Sequence, residues 1–182
     1  MPARKGVDGG EMRLAVLVGN PKPQSRTLTV AQLVAERVAD VVGATHELTV
    51  DLSGYARDLF EWPHAELAEL ADKLAAVDYL VVGTPTYKAS YTGLLKAFLD
   101  RYPSGGLAGV TAIPIMTASD AIHGLAVEFT LRPLLVELGA SVPTKGLCFL
   151  TAQMEAAESV VDEWVAANRH SLDPKSVRSI DG

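Results

Sequence analysis

The chain has 182 residues, 48% of them hydrophobic and 21% charged, proportions that exclude a disordered protein. Twenty-two acidic residues against sixteen basic ones give a net charge of -6. That balance argues against non-specific nucleic-acid binding, which needs a basic surface to neutralise phosphates. A chain this long buries ~70% of its unfolded surface, so one domain over 1–182 is expected. Its single cysteine, Cys148, excludes an internal disulfide and any multi-cysteine metal or iron–sulfur site. The longest apolar runs, such as Leu14–Val18, fall far short of the roughly 20 residues of a membrane span. Residues 1–10 read as a loose polar leader without the apolar stretch of a secretory signal, and 171–182 as a loose tail. A cytoplasmic protein is expected.

In chain order, Leu14–Val18 reads as a buried strand. The loop Gly19-Asn-Pro-Lys-Pro-Gln-Ser-Arg-Thr27 leaves it and enters a helix marked by Val30, Leu33, Val34, Val38 and Val41. Free N–H groups at a helix start, the positive end of its dipole and the hydroxyls of Ser25 and Thr27 suit a terminal phosphate. Lys22 and Arg26 add positive charge. The plain alternative is that Ser25 and Thr27 only cap the helix. The loop lacks both the Gly-x-Gly-x-x-Gly spacing of dinucleotide folds and the Gly-Lys-Ser/Thr ending of NTPase loops.

Gly43 is a helix stop. Thr45–Val50 alternates like a strand near a sheet edge, and Leu67, Leu70, Ala71 and Leu74 mark a second helix. A third strand, Tyr79–Val82, leads into the polar, aromatic loop Gly83–Gly93, long enough to be functional. Its tyrosines and Pro85 either form a flat wall for a planar ring or cover the edge of the core. A short helix, Leu94–Arg101, follows. Val110–Met116 is a fourth strand, in which Pro114 is a difficulty because proline cannot donate to a ladder. After Thr117–His123, where Asp120 is placed to cap, Leu125, Phe129 and Leu134–Leu138 predict a helix over 121–138. Pro133 should kink it by deleting the bond to the carbonyl of Phe129. Gly139 ends it, Gly146–Leu150 is a fifth strand, and Ala156, Val160, Trp164 and Ala167 mark a last helix. Strands alternating with helices predict a parallel sheet with right-handed crossovers and helices on both faces. Ligands of such sheets bind beyond the carboxyl ends of the strands, where the strand order reverses.

Several residues carry simpler readings. His46, His64, His123 and His170 show no ligand spacing, so no metal is expected. Cys148 reads as a small core residue, and the acidic residues Glu66, Glu69 and Asp72 as a solvated helix face.

The stretch Gly83-Thr-Pro-Thr-Tyr-Lys-Ala-Ser-Tyr-Thr-Gly-Leu-Leu-Lys-Ala-Phe-Leu-Asp100 resembles the NADPH-dependent FMN reductase family, a flavodoxin-like group. It is most similar to the branch that supplies reduced flavin to alkanesulfonate-type monooxygenases. The first loop is similar to the family's Gly-Ser-x-Arg-x-x-Ser-x-Thr/Ser phosphate loop, with Asn20 for serine and Lys22 for arginine. The run from Thr117 to Leu135 resembles its third loop and the helix after it, with Ala118-Ser119 where many relatives have Gly-Gly. Lys88 stands where many relatives have asparagine, although the sulfonate branch tolerates lysine there. The resemblance covers about residues 12–150.

It implies a three-layer flavodoxin-like doubly wound α/β fold, with a five-stranded parallel sheet in the order 2-1-3-4-5. It also implies FMN and NADPH (or NADH) as cofactors, with hydride passing from the nicotinamide to N5 of FMN. Asn20, Lys22, Ser25, Arg26 and Thr27 would hold the phosphate. Pro85, Thr86, Tyr87 and Lys88 would pack on the ring and ribityl chain, and Thr117, Ala118 and Ser119 would meet the polar edge. No obligatory catalytic side chain is expected, because hydride transfer rests on proximity and orientation. The same resemblance implies a homodimer or homotetramer through helix 121–138, whose Leu125, Phe129, Leu134, Leu135 and Leu138 are too apolar for one shallow core face. A flavin-dependent monooxygenase is the implied partner. A quinone or azo reductase, a flavodoxin-type electron carrier and a flavin-free interaction module are the other readings.

Overall fold

A computed structural model describes residues 11–173; the expected leader 1–10 and the segment 174–182 lie outside the described residues. Five strands are present: β1 (Met12–Val18), β2 (Ala44–Asp51), β3 (Tyr79–Pro85), β4 (Thr111–Ala118) and β5 (Leu147–Leu150). Five α-helices alternate with them: α1 (Arg26–Val42), α2 (Ala65–Ala75), α3 (Gly93–Leu99), α4 (Arg132–Glu137) and α5 (Ala157–Leu172). All strand pairs are parallel, in the order β2-β1-β3-β4-β5. This is the doubly wound order implied at the level of sequence, and the order reverses between β1 and β3.

The strand side chains divide the core by parity. Leu14, Val16, Val18, Val81, Ile113 and Ile115 pack under α1 and α5. Ala15, Leu17, Leu80, Val82, Ala112 and Met116 pack under α2, α3 and α4. Burial on both sides explains why β3 is buried at every position, while the edge strand β2 keeps only Val50 fully buried.

Pro114 sits inside β4 without breaking a ladder. The Ala112 amide points toward the β5 side, donating to Ser141 O, so position 114 faces the same side. β5 begins its pairing only at Leu147 opposite Ile115, so the absent donor has no partner strand to miss. Helix stops fall as expected: Gly43 and Gly139 are left-handed, with φ of 70° and 86°.

Two elements differ from expectation. α5 runs to Leu172, into the segment read as a tail, because Leu172 is buried and its carbonyl accepts from Tyr79 Oη at 3.1 Å. Burial pushes the Tyr79 phenol up to about 12. The expected continuous helix 121–138 is instead three pieces. A 3₁₀ turn, Ala121–His123, is capped by Asp120 Oδ1 accepting from Ile122 N at 2.9 Å. A π-helical turn, Val127–Leu131, follows, and then α4. Arg132 N bonds Val127 O, one residue further back than an α-helix reaches. Pro133 then falls in the first turn of α4, where a missing donor costs little. The kink expected at Pro133 is therefore absorbed by a change of helix type just before it.

That change also redistributes the apolar side chains. Leu135 and Leu138 are core residues and Leu134 is half-buried, contrary to their expected place on an outer face. The exposed apolar residues are Ile122 (81%), Leu125 (67%), Phe129 (72%) and Val136. In the same segment, Glu128 and Arg132 form an ion pair. Arg132 donates to Val142 O and Thr144 O, and Glu128 Oε1 accepts from Gly146 N at 2.6 Å. The clamp ties the π-turn to the segment that enters β5.

Candidate functional site

The loops after β1 and β3 part at the reversal of strand order, and that is where a cleft opens. Their roots are tightly joined. Gly19 N donates to Gly83 O at 2.8 Å. A Cβ on Gly19 would stand 2.4 Å from Leu95 Cβ, so only glycine lets the end of β1 lie against α3. Thr92 Oγ1 donates to Gly19 O at 2.6 Å and accepts from Leu95 N, capping α3. Thr84 Oγ1 accepts from Thr92 N and donates to Pro85 O.

The first loop is held by its own buried polar groups. Asn20 Oδ1 accepts from Lys22 N at 2.9 Å, and its Nδ2 donates to Thr27 Oγ1 at 3.0 Å. Thr27 Oγ1 lies 2.7 Å from Thr117 Oγ1, at the end of β4. Asn20 is therefore a brace between loop and helix. With Thr27 accepting from Asn20, the two threonine hydroxyls share one bond and keep one proton to offer a ligand. Ser25 Oγ accepts from Leu28 N at 3.2 Å as the N-cap of α1, as the plain reading expected. Capping uses its lone pair and leaves its O–H free. The amides of Arg26 and Thr27, in the first turn of α1, have no intrahelical acceptor.

The loop after β3 carries the opposite wall. Thr86 N donates to Thr117 O at 2.7 Å, whereas Thr86 Oγ1 is buried with no hydrogen-bond partner among the described residues. Tyr87 and Ser90 exchange backbone bonds at 2.9 and 3.1 Å around a two-residue turn. Lys88 and Ala89, at its centre, both have positive φ, 51° and 62°. Two consecutive positive φ values make it a mirror-image hairpin turn of type I′.

The cleft measures about 310 Å³, within the range of small-molecule sites. Asn20, Lys22, Ser25, Arg26 and Thr27 line one part of it, and Pro85, Thr86 and Tyr87 another. Thr117, Ala118 and Ser119 complete it with Thr151. Lys88 alone of the residues picked from sequence is off its wall, exposed at the hairpin tip. Thr151, which the sequence reading missed, is the first residue beyond β5, whose Leu150 pairs with Ala118. Its only signal in the sequence is that position at a strand's carboxyl end.

This cleft and a second hollow differ in charge. A groove of about 740 Å³ between α1 and the start of α5 is larger, but Glu155, Glu158, Asp162 and Glu163 line it. The cleft at the strand ends has Lys22 and Arg26 and no carboxylate on its wall. Elsewhere, Asp58, Glu61 and His64 bring ligand atoms within 4.8 Å of one another in a partly exposed trio, and His64 Nδ1 already accepts from Leu67 N to cap α2. His123 is half-buried and off the cleft wall. Cys148 is half-buried against the core, and burial raises its thiol, so it is no thiolate nucleophile. No helix among the described residues is long and apolar enough to cross a membrane.

Fold and cleft together define a flavodoxin-like α/β protein with a cleft at its switch point, lined by Lys22 and Arg26 and by no carboxylate. The model of the NADPH-dependent FMN reductases matches residues 12–154, and the chain belongs to that family of oxidoreductases. It is 33% identical over 135 residues to an FMN reductase (NADPH) of Escherichia coli strain K12, covering 71% of this chain and 68% of that one. It is 31% identical over 144 residues to the NADH-dependent FMN reductase SfnF of Pseudomonas putida, covering 75% and 76%. Among solved structures, the apo form of an NADH:FMN oxidoreductase (EMOB) superimposes with a TM-score of 0.77 at 29% identity, over 91% of this chain and 93% of that one.

Proposed function

We propose that the cleft at the strand ends holds FMN, with its phosphate at the start of α1 and its ring along Pro85–Tyr87, and that the chain reduces it with NAD(P)H. One observation carries this reading: the cleft gathers spare donors and positive charge with no opposing carboxylate. The donors are the amides of Arg26 and Thr27, the Ser25 hydroxyl and the cations Lys22 and Arg26. The partnerless Thr86 hydroxyl supports the fit, because a buried hydroxyl without a partner is costly and a ribityl or ring oxygen would satisfy it.

Bound FMN supplies the acceptor for a hydride from reduced nicotinamide. The protein's part is placement. The brace of Asn20, Thr27 and Thr117 fixes the helix start before ligand arrives, so little ordering remains to oppose binding. Tyr87, 47% exposed, leaves apolar area for a ring to cover. Thr117, Ala118, Ser119 and Thr151 close the far side. No side chain is assigned as acid or base.

The exposed Ile122, Leu125, Phe129 and Val136 support self-association through this segment, as a homodimer or homotetramer. Reduced flavin then passes to a partner monooxygenase, as the resemblance to the alkanesulfonate-type branch implies. The described residues act as one flavodoxin-like domain, in the cytoplasm. Fluorescence titration with FMN and riboflavin tests the site. Charge-assisted bonds contribute ~1.5–3 kcal/mol each, so FMN should bind more than tenfold tighter. Equal affinities would remove the phosphate from the start of α1.

A further inference from the structure

We infer that Lys88 recognises a phosphate group of the incoming nicotinamide dinucleotide rather than the flavin. The inference rests on the reading of the cleft as the FMN site. Three observations carry it.

The first is position. Tyr87 is on the cleft wall, while Lys88, the next residue, is off it and exposed at the tip of the hairpin. Lys22 and Arg26, the cations on the wall, belong to the other loop, which begins α1. The phosphate end of the cleft thus has its own charges, and Lys88 is the cation of the ring end. A dinucleotide that brings its nicotinamide to the ring keeps its diphosphate outside the cleft, at the rim this hairpin forms.

The second is conformation. Lys88 and Ala89 occupy two left-handed positions in succession, which glycine or asparagine fills without strain. Lysine is a poor choice for the turn itself. A side chain kept at a strained position calls for a role that the turn does not supply.

The third is charge. Lys73 and Lys96 each bind a carboxylate one helical turn away, at 2.7 and 2.5 Å. Lys88 has no ion pair or hydrogen bond among the described residues. In a chain of net charge -6, an unpaired ammonium beside a carboxylate-free cleft makes the mouth locally attractive to a polyanion. Its flexible four-carbon stem suits a mobile second substrate better than a fixed ring.

The test uses Lys88→Gly, which relaxes the turn, and Lys88→Arg, which keeps the charge. FMN affinity and melting temperature are measured on each. Affinities for NADP⁺ and NAD⁺ are measured by calorimetry on FMN-saturated protein, and KM for NADPH and NADH by steady-state kinetics. Lys88→Gly should raise nucleotide KM and dissociation constant about threefold to tenfold, the range of an exposed charge-assisted contact. FMN affinity should stay unchanged, and melting temperature should hold or rise. Lys88→Arg should behave like wild type. Added salt should weaken nucleotide binding in the wild type more than in Lys88→Gly. A loss confined to the NADP pair assigns the contact to the 2′-phosphate, and an equal loss for both pairs assigns it to the diphosphate. Unchanged nucleotide affinity in Lys88→Gly overturns the inference and leaves the FMN site standing. FMN affinity falling in step with nucleotide affinity overturns it in favour of a flavin contact. Failure of the wild type to bind FMN overturns the site itself.

Discussion

The loop after β1 and the segment 121–138 both follow carboxyl ends of strands, and they reverse the usual rule of burial in opposite senses. The loop hides polar side chains: Asn20 and Thr27 are buried and bonded to each other, and Thr27 is bonded in turn to the buried Thr117 at the end of β4. The segment displays apolar ones: Ile122, Leu125 and Phe129 are each exposed by two-thirds or more. A buried polar group is tolerated only when bonded, so the first departure marks a preorganised site. Exposed apolar side chains gathered along one segment support the proposal that another surface covers them. The two departures therefore support two separate proposals, a small anion at the loop and a second protein surface at the segment, and each can be tested by a substitution that leaves the other untouched.

The sharpest break is at the apolar segment. Phe129→Glu with Leu125→Glu should convert an oligomer to a monomer, because a buried aromatic anchor at an interface commonly contributes ~2–4 kcal/mol. Light scattering at micromolar concentration reads the mass, and FMN titration on the same variant should show little change if the two regions are independent. A wild type that is already monomeric would end the assignment of this face.

The next largest effect belongs to the loop. Thr27→Val keeps the shape but removes the centre of the chain from Asn20 to Thr117. It strands a buried amide, at a cost of ~1–3 kcal/mol. Both the melting temperature and FMN affinity should fall, while Thr27→Ser should recover most of each. A Thr27→Val protein with normal affinity would show that the brace holds the loop and not the ligand.

Tyr87 and Tyr91 sharpen the same contrast within one loop. Tyr91 packs against the core, and Tyr87 stands on the cleft wall. Tyr87→Ala should weaken FMN by about tenfold, from ~1–2 kcal/mol of lost ring contact, with an unchanged melting temperature. Tyr91→Ala should lower the melting temperature instead. Exchanged outcomes would mean that the ring wall lies elsewhere.

How much of this was legible in the chain follows the range of the interactions. Apolar runs, the alternation of Thr45–Val50 and the stops at Gly43 and Gly139 are local, and they sufficed to place the five strands and those two helix ends, whereas the strand order came from the family resemblance. The cleft residues were found because three loops share one motif family and converge at one switch point. The Thr27–Thr117 bond spans 90 positions, and nothing local announces it. Thr151 carried no pattern beyond its place after an edge strand. The segment 121–138 misled because a 3.6-residue period was carried through it unbroken. The π-turn Val127–Leu131 adds a residue to one turn and rotates everything after it. Leu135 and Leu138, after it, thereby reach the core and Val136 the exposed face, while Ile122, before it and likewise outside the expected set, is exposed on the 3₁₀ turn.

The smallest predicted effect tests what holds that rotated segment in place. Glu128, in the π-turn, is held below the usual carboxylate range chiefly by its bond to Arg132. Partial burial opposes this, and the Gly146 amide and the positive charges of Arg132 and Lys145 add to it. A folded value below the unfolded one means that the ionised carboxylate stabilises the fold. The contribution is fully present above the unfolded value of about 4.3 and is lost as pH falls through the lower folded value. The two side chains remain 33% and 25% exposed, which limits the contribution to about 1 kcal/mol. Glu128→Gln keeps an acceptor for Gly146 N and removes the charge together with the second oxygen, which accepts from Arg132 Nε. It should lower the melting temperature by about 2–4 °C at neutral pH. The gap to wild type should close as the solution is acidified below the carboxylate range. A gap that persists in acid would assign the effect to packing around Gly146, whose added Cβ would already meet Val127 at 2.4 Å. No gap at neutral pH would leave Arg132, through its bonds to Val142 O and Thr144 O, to hold the π-turn and its apolar face without the carboxylate.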